Sequence, residues 1–256
     1  MSPATPNPPV TQTIPCTPNA PTTSGEAPMT SGRRLVARIA VTAILAYQAL
    51  SVAAIIANPQ WNPLTRQLSE YALGRQGWLQ GAAFLASALS YAALFAALRP
   101  DVHGVSGRVG LGILAYCVLA TIGVAIFVTD PITTAPDAVS IHGSLHVVFG
   151  ASALVLLPVA ALLLTRSLAR THPTRFPSRR ALDRIAFLPL TGFALIWVPE
   201  VVGLLPARGW PDRVLFLIYT AWVITVAAPV ARRDRPQRIR EVVADSGGDQ
   251  GAVESQ

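Results

Sequence analysis

Two histidines four residues apart, in His142-Gly143-Ser144-Leu145-His146, are the residues of this chain best spaced to do chemistry. On a helix that interval stacks both imidazoles on one face, one turn and roughly 6 Å apart, as when two side chains grip one metal ion. They are candidate zinc ligands or general bases. Catalytic zinc wants a third protein ligand, which no spacing identifies, and the pair lacks the adjacent glutamate of HExxH proteases. Carboxylates that would complete a set are Glu70, Asp130 and Glu200, with the Ser69 hydroxyl beside the first. The plainer reading is that these groups hydrogen-bond one another and close one end of a helix bundle. There is no Gly-rich phosphate loop, nucleophile elbow or CxxC pair to suggest other chemistry.

The elements that must position these residues are transmembrane helices. Of 256 residues, 52% are hydrophobic and only 13% charged, outside the balance of a soluble domain. A hydrocarbon core of roughly 30 Å takes about 20 apolar residues per helix. Six stretches qualify, near 35–57, 77–98, 109–129, 140–165, 185–206 and 214–231. Only helices and closed barrels satisfy their backbone groups in lipid, and these runs are too long and continuous for barrel strands. The expected fold is therefore all-α, a polytopic bundle of six transmembrane helices within residues 33–231.

All twenty basic residues are arginines, and their placement is one-sided. Arg66, Arg75, Arg208 and Arg213 fall on one side of the membrane and the other sixteen on the opposite side. The positive-inside rule then puts both termini and the loop 166–184 in the cytoplasm of a protein of the cell membrane. The net charge of +7 is thus a topology signal. Nucleic-acid binding would want aromatics among the basic residues, and 166–184 holds only Phe176. Membrane lipids are the expected partners.

Residues 1–32, rich in Pro, Thr and Ser, read as a disordered tail without a signal peptide, and 232–256 as a basic and then polar tail. Cys117 is expected mid-membrane in the third span, too far from the cytoplasmic tail that holds Cys16 for a disulfide, so both are expected to be free thiols. In the first outer loop, Asn62 is expected to cap a helix starting at Pro63 and ended by Gly74. Leu64, Leu68 and Tyr71 would form its apolar face, and Arg66 would pair with Glu70. Trp61, Trp78 and Trp210 suit an interfacial aromatic belt. Glu200 lies about 22 Å into the fifth span, beside Pro199, which frees the Leu195 carbonyl. Gly143 and the Ala82, Ala86, Ser90 series read as small residues that let helices approach closely.

Three places carry a family resemblance: Gln67-Leu68-Ser69-Glu70-Tyr71-Ala72 followed by Gly77-Trp78, then Phe127-Val128-Thr129-Asp130-Pro131, then His142-Gly143-Ser144-Leu145-His146. In order and spacing they resemble the six-helix membrane proteins of domain-of-unknown-function family 998, over roughly residues 35–231. Val128 departs from the proline often found there. The resemblance implies fold and topology, and no activity. By residue type Ser69, Asp130, His142 and His146 are also similar to the zinc site of the membrane hydrolases that include alkaline ceramidases. That superfamily has seven core helices and a third ligating histidine that has no counterpart in this sequence. The expected function is binding of a lipid or a partner through the outer-face polar cluster. The alternatives are a metal-dependent hydrolase or transferase acting on an outer-leaflet lipid, and a small transporter.

Overall fold

The computed structural model describes residues 30–171, 179–204 and 209–232. The tails with Cys16, and residues 172–178 of the arginine-rich loop, lie outside the described residues. Among those described, every regular element is helical. Five helices are long and apolar enough to cross a membrane: α1 (Ser31–Ile56), α2 (Gly77–Leu98), α3 (Gly104–Ile126), α4 (Ile141–Thr171) and α7 (Gly209–Ala231). The α2 bounds coincide with the apolar run. α4 continues past it to Thr171, because a helix can extend into water once its apolar stretch is used up.

The predicted span 185–206 is different. Helix α5 (Arg179–Gly192) passes into a π-helical turn (Phe193–Trp197), a short α6 (Val198–Val201) and a turn at Gly203, whose φ is +76°. Pro199 has no N–H and its ring crowds the carbonyl four residues back, which disfavours a regular α turn just before it, although Pro158, Pro189 and Pro229 stand inside regular α-helices. The chain answers with a wider turn, in which the Val198 N–H bonds the Phe193 carbonyl five residues back. Five continuous spans, rather than the expected six, are therefore found among the described residues.

Neighbour packing runs α1–α2–α3–α4–α5–α7 and back to α1, a closed ring. Its upper end carries residues 57–76 and 127–140, and its lower end the turn 99–103. Small residues set the α1–α2 approach: Ala37, Ala40, Ala83 and Ala97 are buried, and Ser90 Oγ donates to the Ala40 carbonyl at 2.7 Å. Of the Ala82, Ala86, Ser90 series only Ser90 is buried, and the interface runs through Ala83 instead. On α7, Trp222 Nε1 donates to Thr165 Oγ1 at 3.0 Å, and Tyr219 donates to the Leu154 carbonyl at 3.0 Å. The lower end is tied by an Arg33–Asp101 ion pair, with Thr171 Oγ1 donating to the Asp101 carbonyl at 3.1 Å. Helix exteriors present leucines and valines such as Leu85, Leu89, Leu119 and Leu217, the surface that lipid solvates.

Candidate functional site

The α3–α4 turn holds the histidine pair and Asp130. Ser140 is the N-cap of α4, its Oγ accepting the Gly143 N–H at 2.9 Å. The Asp130 carboxylate accepts the Ser140 N–H at 2.7 Å, so a negative charge sits where the helix dipole is positive. It can come so close only because residue 143 is glycine: a Cβ there would overlap the carboxylate, with Asp130 Cγ at 2.6 Å. Gly143 therefore makes room for a carboxylate from the preceding turn, where close helix approach was expected.

Both histidines engage Phe127, at the end of α3. His146 is 7% exposed and its Nδ1 lies 2.7 Å from the Phe127 carbonyl. His142 is exposed and sets its ring edge against the Phe127 ring, centroids 5.6 Å apart. Phe127 also stacks on Phe149 at 5.7 Å. A carbonyl only accepts, so the neutral His146 ring carries its proton on Nδ1 and keeps a lone pair on Nε2. Nε2 takes part in no hydrogen bond of good geometry among the described residues, and the Val124 carbonyl also lies near the ring.

The first upper loop differs from expectation in where its helix starts. Asn62 Oδ1 accepts the Leu64 N–H at 2.9 Å and closes a turn, while the helix is a 3-10 turn at Leu68–Leu73 with Gln67 as N-cap. Pro63 is outside it and Leu64 is 58% exposed, whereas Leu68 and Tyr71 are buried. Glu70 competes for the backbone: its Oε2 accepts the Gln67 N–H at 3.1 Å, which fixes the start beyond Asn62's turn. Arg66 pairs with Glu70 as its spacing implied, Nη1 to Oε1 at 2.7 Å. The same Oε1 accepts the Ile132 N–H at 3.1 Å. Glu70, 1% exposed, thus pins the first loop to the α3–α4 turn.

A second polar group at the upper end went unmarked in the sequence. Arg213 Nη1 donates to the Arg66 and Gly209 carbonyls, and its guanidinium lies over the Tyr71 ring at 5.7 Å. Arg213 Nε and Nη2, the Tyr71 and Tyr47 hydroxyls, Ser51 Oγ and both amide atoms of Gln80 are buried without a hydrogen-bond partner. Tyr71 and Arg213 feel each other, as do Tyr47 and Ser51, but outside hydrogen-bond geometry. Burial raises the Tyr71 phenol above its usual 10.0. The α1–α2 register set by Ser90 and Ala40 puts Gln80 level with Ser51. The α1–α7 register, set by Gln48 Nε2 on Thr220 Oγ1 at 2.7 Å, brings Arg213 near that level. Uncharged polar residues inside an apolar run were the available signal.

Between these groups a cavity of about 290 Å³ runs down the inside of the ring. Gln67, Ser69 and Thr129 roof it, with His146, Tyr47 and Asp212 also on its wall. Below, the wall combines Phe84, Leu154, Leu157 and Phe216 with the hydroxyl side chains of Ser87, Tyr91 and Thr121. On α4 its lining runs from His146 to Leu157, so the cavity extends about 16 Å along that helix. Of the expected site residues, Ser69 and His146 share this cavity. Glu70 and Asp130 hydrogen-bond backbone amides around it, and His142 lies outside on Phe127. Glu200 stands in α6, and nothing is described of its side chain. Among the described residues no three His, Cys, Asp or Glu side chains gather closely enough to hold a metal ion together.

The family model described as "Protein of unknown function (DUF998)" matches residues 40–229, and the chain belongs to that family. No curated protein and no solved structure matches the chain.

Proposed function

We propose that this DUF998 protein crosses the cell membrane six times with both ends in the cytoplasm, and holds a lipid or lipid-like amphiphile in its upper, outward-facing cavity. The carrying observation is the shape and chemistry of that cavity: polar groups at the roof, a largely apolar wall below, and a length of about 16 Å along α4. An acyl chain fits such a wall as it fits the bilayer. Chain parity supports six crossings. Thr171 is tied to the lower end through Asp101, and Gly209 donates to the Leu64 carbonyl at the upper end at 3.0 Å. A crossing of the segment between fits this parity, and from Arg179 to Val201 a helical path at about 1.5 Å per residue is long enough for a core of about 30 Å. Arginine placement assigns the lower end to the cytoplasm.

Two experiments test this. Full-length protein purified in mild detergent should carry a lipid detectable by native mass spectrometry. Ala151→Trp, which fills the cavity, should lose it while keeping the wild-type helical circular dichroism; retention by the variant overturns the reading. For topology, a cysteine at Asp137 should react with an impermeant thiol reagent in intact cells, and one at Arg99 should not.

A metal-dependent hydrolase or transferase is the second reading, favoured by one observation: the His146 Nε2 lone pair on a cavity-lining side chain. Elemental analysis of protein purified without chelators decides it. About one zinc per chain, lost in His142→Ala and His146→Ala, would put the hydrolase first. A transporter is less supported, because the interior below the cavity is closed by the Trp222–Thr165 contact and the Arg33–Asp101 pair.

A further inference from the structure

The cavity's polar wall selects among head groups by what it lacks. Two side chains on it are more than nine-tenths buried and incompletely partnered. His146, 7% exposed, keeps an Nε2 lone pair because Nδ1 is engaged by the Phe127 carbonyl at 2.7 Å. Tyr47, 2% exposed, has a hydroxyl with no hydrogen-bond partner. They stand at one depth: the α1–α2 register puts Tyr47 opposite Ala83, and the next residue, Phe84, sets its ring against His146 with centroids 6.2 Å apart. One group can only accept a hydrogen bond, and the other can donate one.

We infer that the cavity takes an amphiphile whose head is an uncharged hydroxyl, donating to His146 Nε2 and accepting from the Tyr47 hydroxyl. A carboxylate or phosphate offers acceptors only and would face the His146 lone pair, while the Asp212 and Arg213 charges near Tyr47 oppose each other. A quaternary ammonium neither donates nor accepts. An ether accepts but does not donate. A hydroxyl does both, and being neutral it avoids the large cost of placing a charge below the roof. Leu154, Leu157 and Phe216 leave the tail an apolar path.

The inference rests on the lipid-binding reading, and the test separates their failures. Binding to full-length protein in detergent is measured by thermal shift for three ligands sharing one acyl chain: a monoacylglycerol, its fully methylated ether, and the fatty acid at a pH where it is ionised. The monoacylglycerol should bind about tenfold tighter than the ether, the worth of one hydrogen bond, and tighter than the carboxylate. His146→Asn keeps a donor for the Phe127 carbonyl but deletes Nε2, and Tyr47→Phe deletes only the hydroxyl. Each should bring the monoacylglycerol down to the ether. Equal binding of all three ligands, tightest binding of the carboxylate, or an unchanged preference in both variants overturns the hydroxyl inference and leaves the cavity reading standing. No binding of any ligand by folded wild-type protein overturns both.

Discussion

Two corners of the upper end hold comparable sets of polar side chains and treat them in opposite ways. In the α3–α4 turn, the Asp130 carboxylate meets the Ser140 amide, Ser140 caps the Gly143 amide, and His146 meets the Phe127 carbonyl. Through Ile132 the turn also receives Glu70. In the α1–α2–α7 corner, Tyr47, Ser51, Tyr71, Gln80 and Arg213 bury polar atoms without partners. A buried polar atom left unpaired costs about 1–3 kcal/mol, so the first corner rigidifies the fold and the second works against it. Polar groups kept against their own stability belong where something else meets them, and Tyr47, which is on the cavity wall, is where that something would enter.

The comparison can be strained from either side, and the largest effect is expected at the bridge between the corners. Glu70→Ala leaves the Gln67 and Ile132 amides and the Arg66 guanidinium without their acceptor, and should destabilise by about 3 kcal/mol. Denaturant titration of the detergent-solubilised protein reads it; a loss under about 1 kcal/mol would mean the pin is decorative. Next comes Gly143→Ala, which pushes the Asp130 carboxylate off the α4 N-terminus at about 2 kcal/mol. In an Asp130→Ala background the same change should cost at least about 1 kcal/mol less, because the overlap is gone. Additive effects would mean that the carboxylate does not press on residue 143.

In the other corner the sign reverses. Gln80→Leu removes two orphaned atoms at similar volume and should raise stability by about 1 kcal/mol. A fall instead would show water bridging the amide, and the contrast between corners would collapse. Tyr71 gives a pH signature. Its folded-state pKa is raised by burial above the usual 10.0, so the folded state holds its proton after the unfolded chain has released it. Stability is unaffected below the unfolded value and falls as pH rises from 10.0 toward the folded value. Tyr71→Phe should flatten that fall. The smallest effect is expected for His142→Ala, within about 0.5 kcal/mol, since His142 is exposed and its ring packs edge-on against Phe127 at the surface.

Legibility followed the range of each interaction. Apolar run lengths gave the helices to within a few residues, because lipid punishes any other backbone arrangement. The Arg66–Glu70 pair was visible because i,i+4 neighbours meet on any helical turn. The helix expected from Pro63 to Gly74 is broken in two, an Asn62-capped turn closed by the Arg66 N–H on the Asn62 carbonyl and the 3-10 helix from Leu68, because the Glu70 side chain takes the Gln67 N–H between them. Pro199 signalled a disturbance in its helix, but the π turn it produces could not be read from one proline.

The sequence by itself determined that this chain is all-helical, where its five long apolar helices lie, and which polar residues stand near their ends. Only the tertiary structure decided which of them meet: Glu70 with Ile132, Asp130 with Gly143, His146 with Phe127, and Tyr47 with a cavity. The reason is physical. Membrane helices are apolar on every face, so their pattern does not say how each is rotated or how far it slides along its neighbour. Those two quantities are fixed by packing of small residues such as Ala40 against Ser90, and every contact at the upper end follows from them.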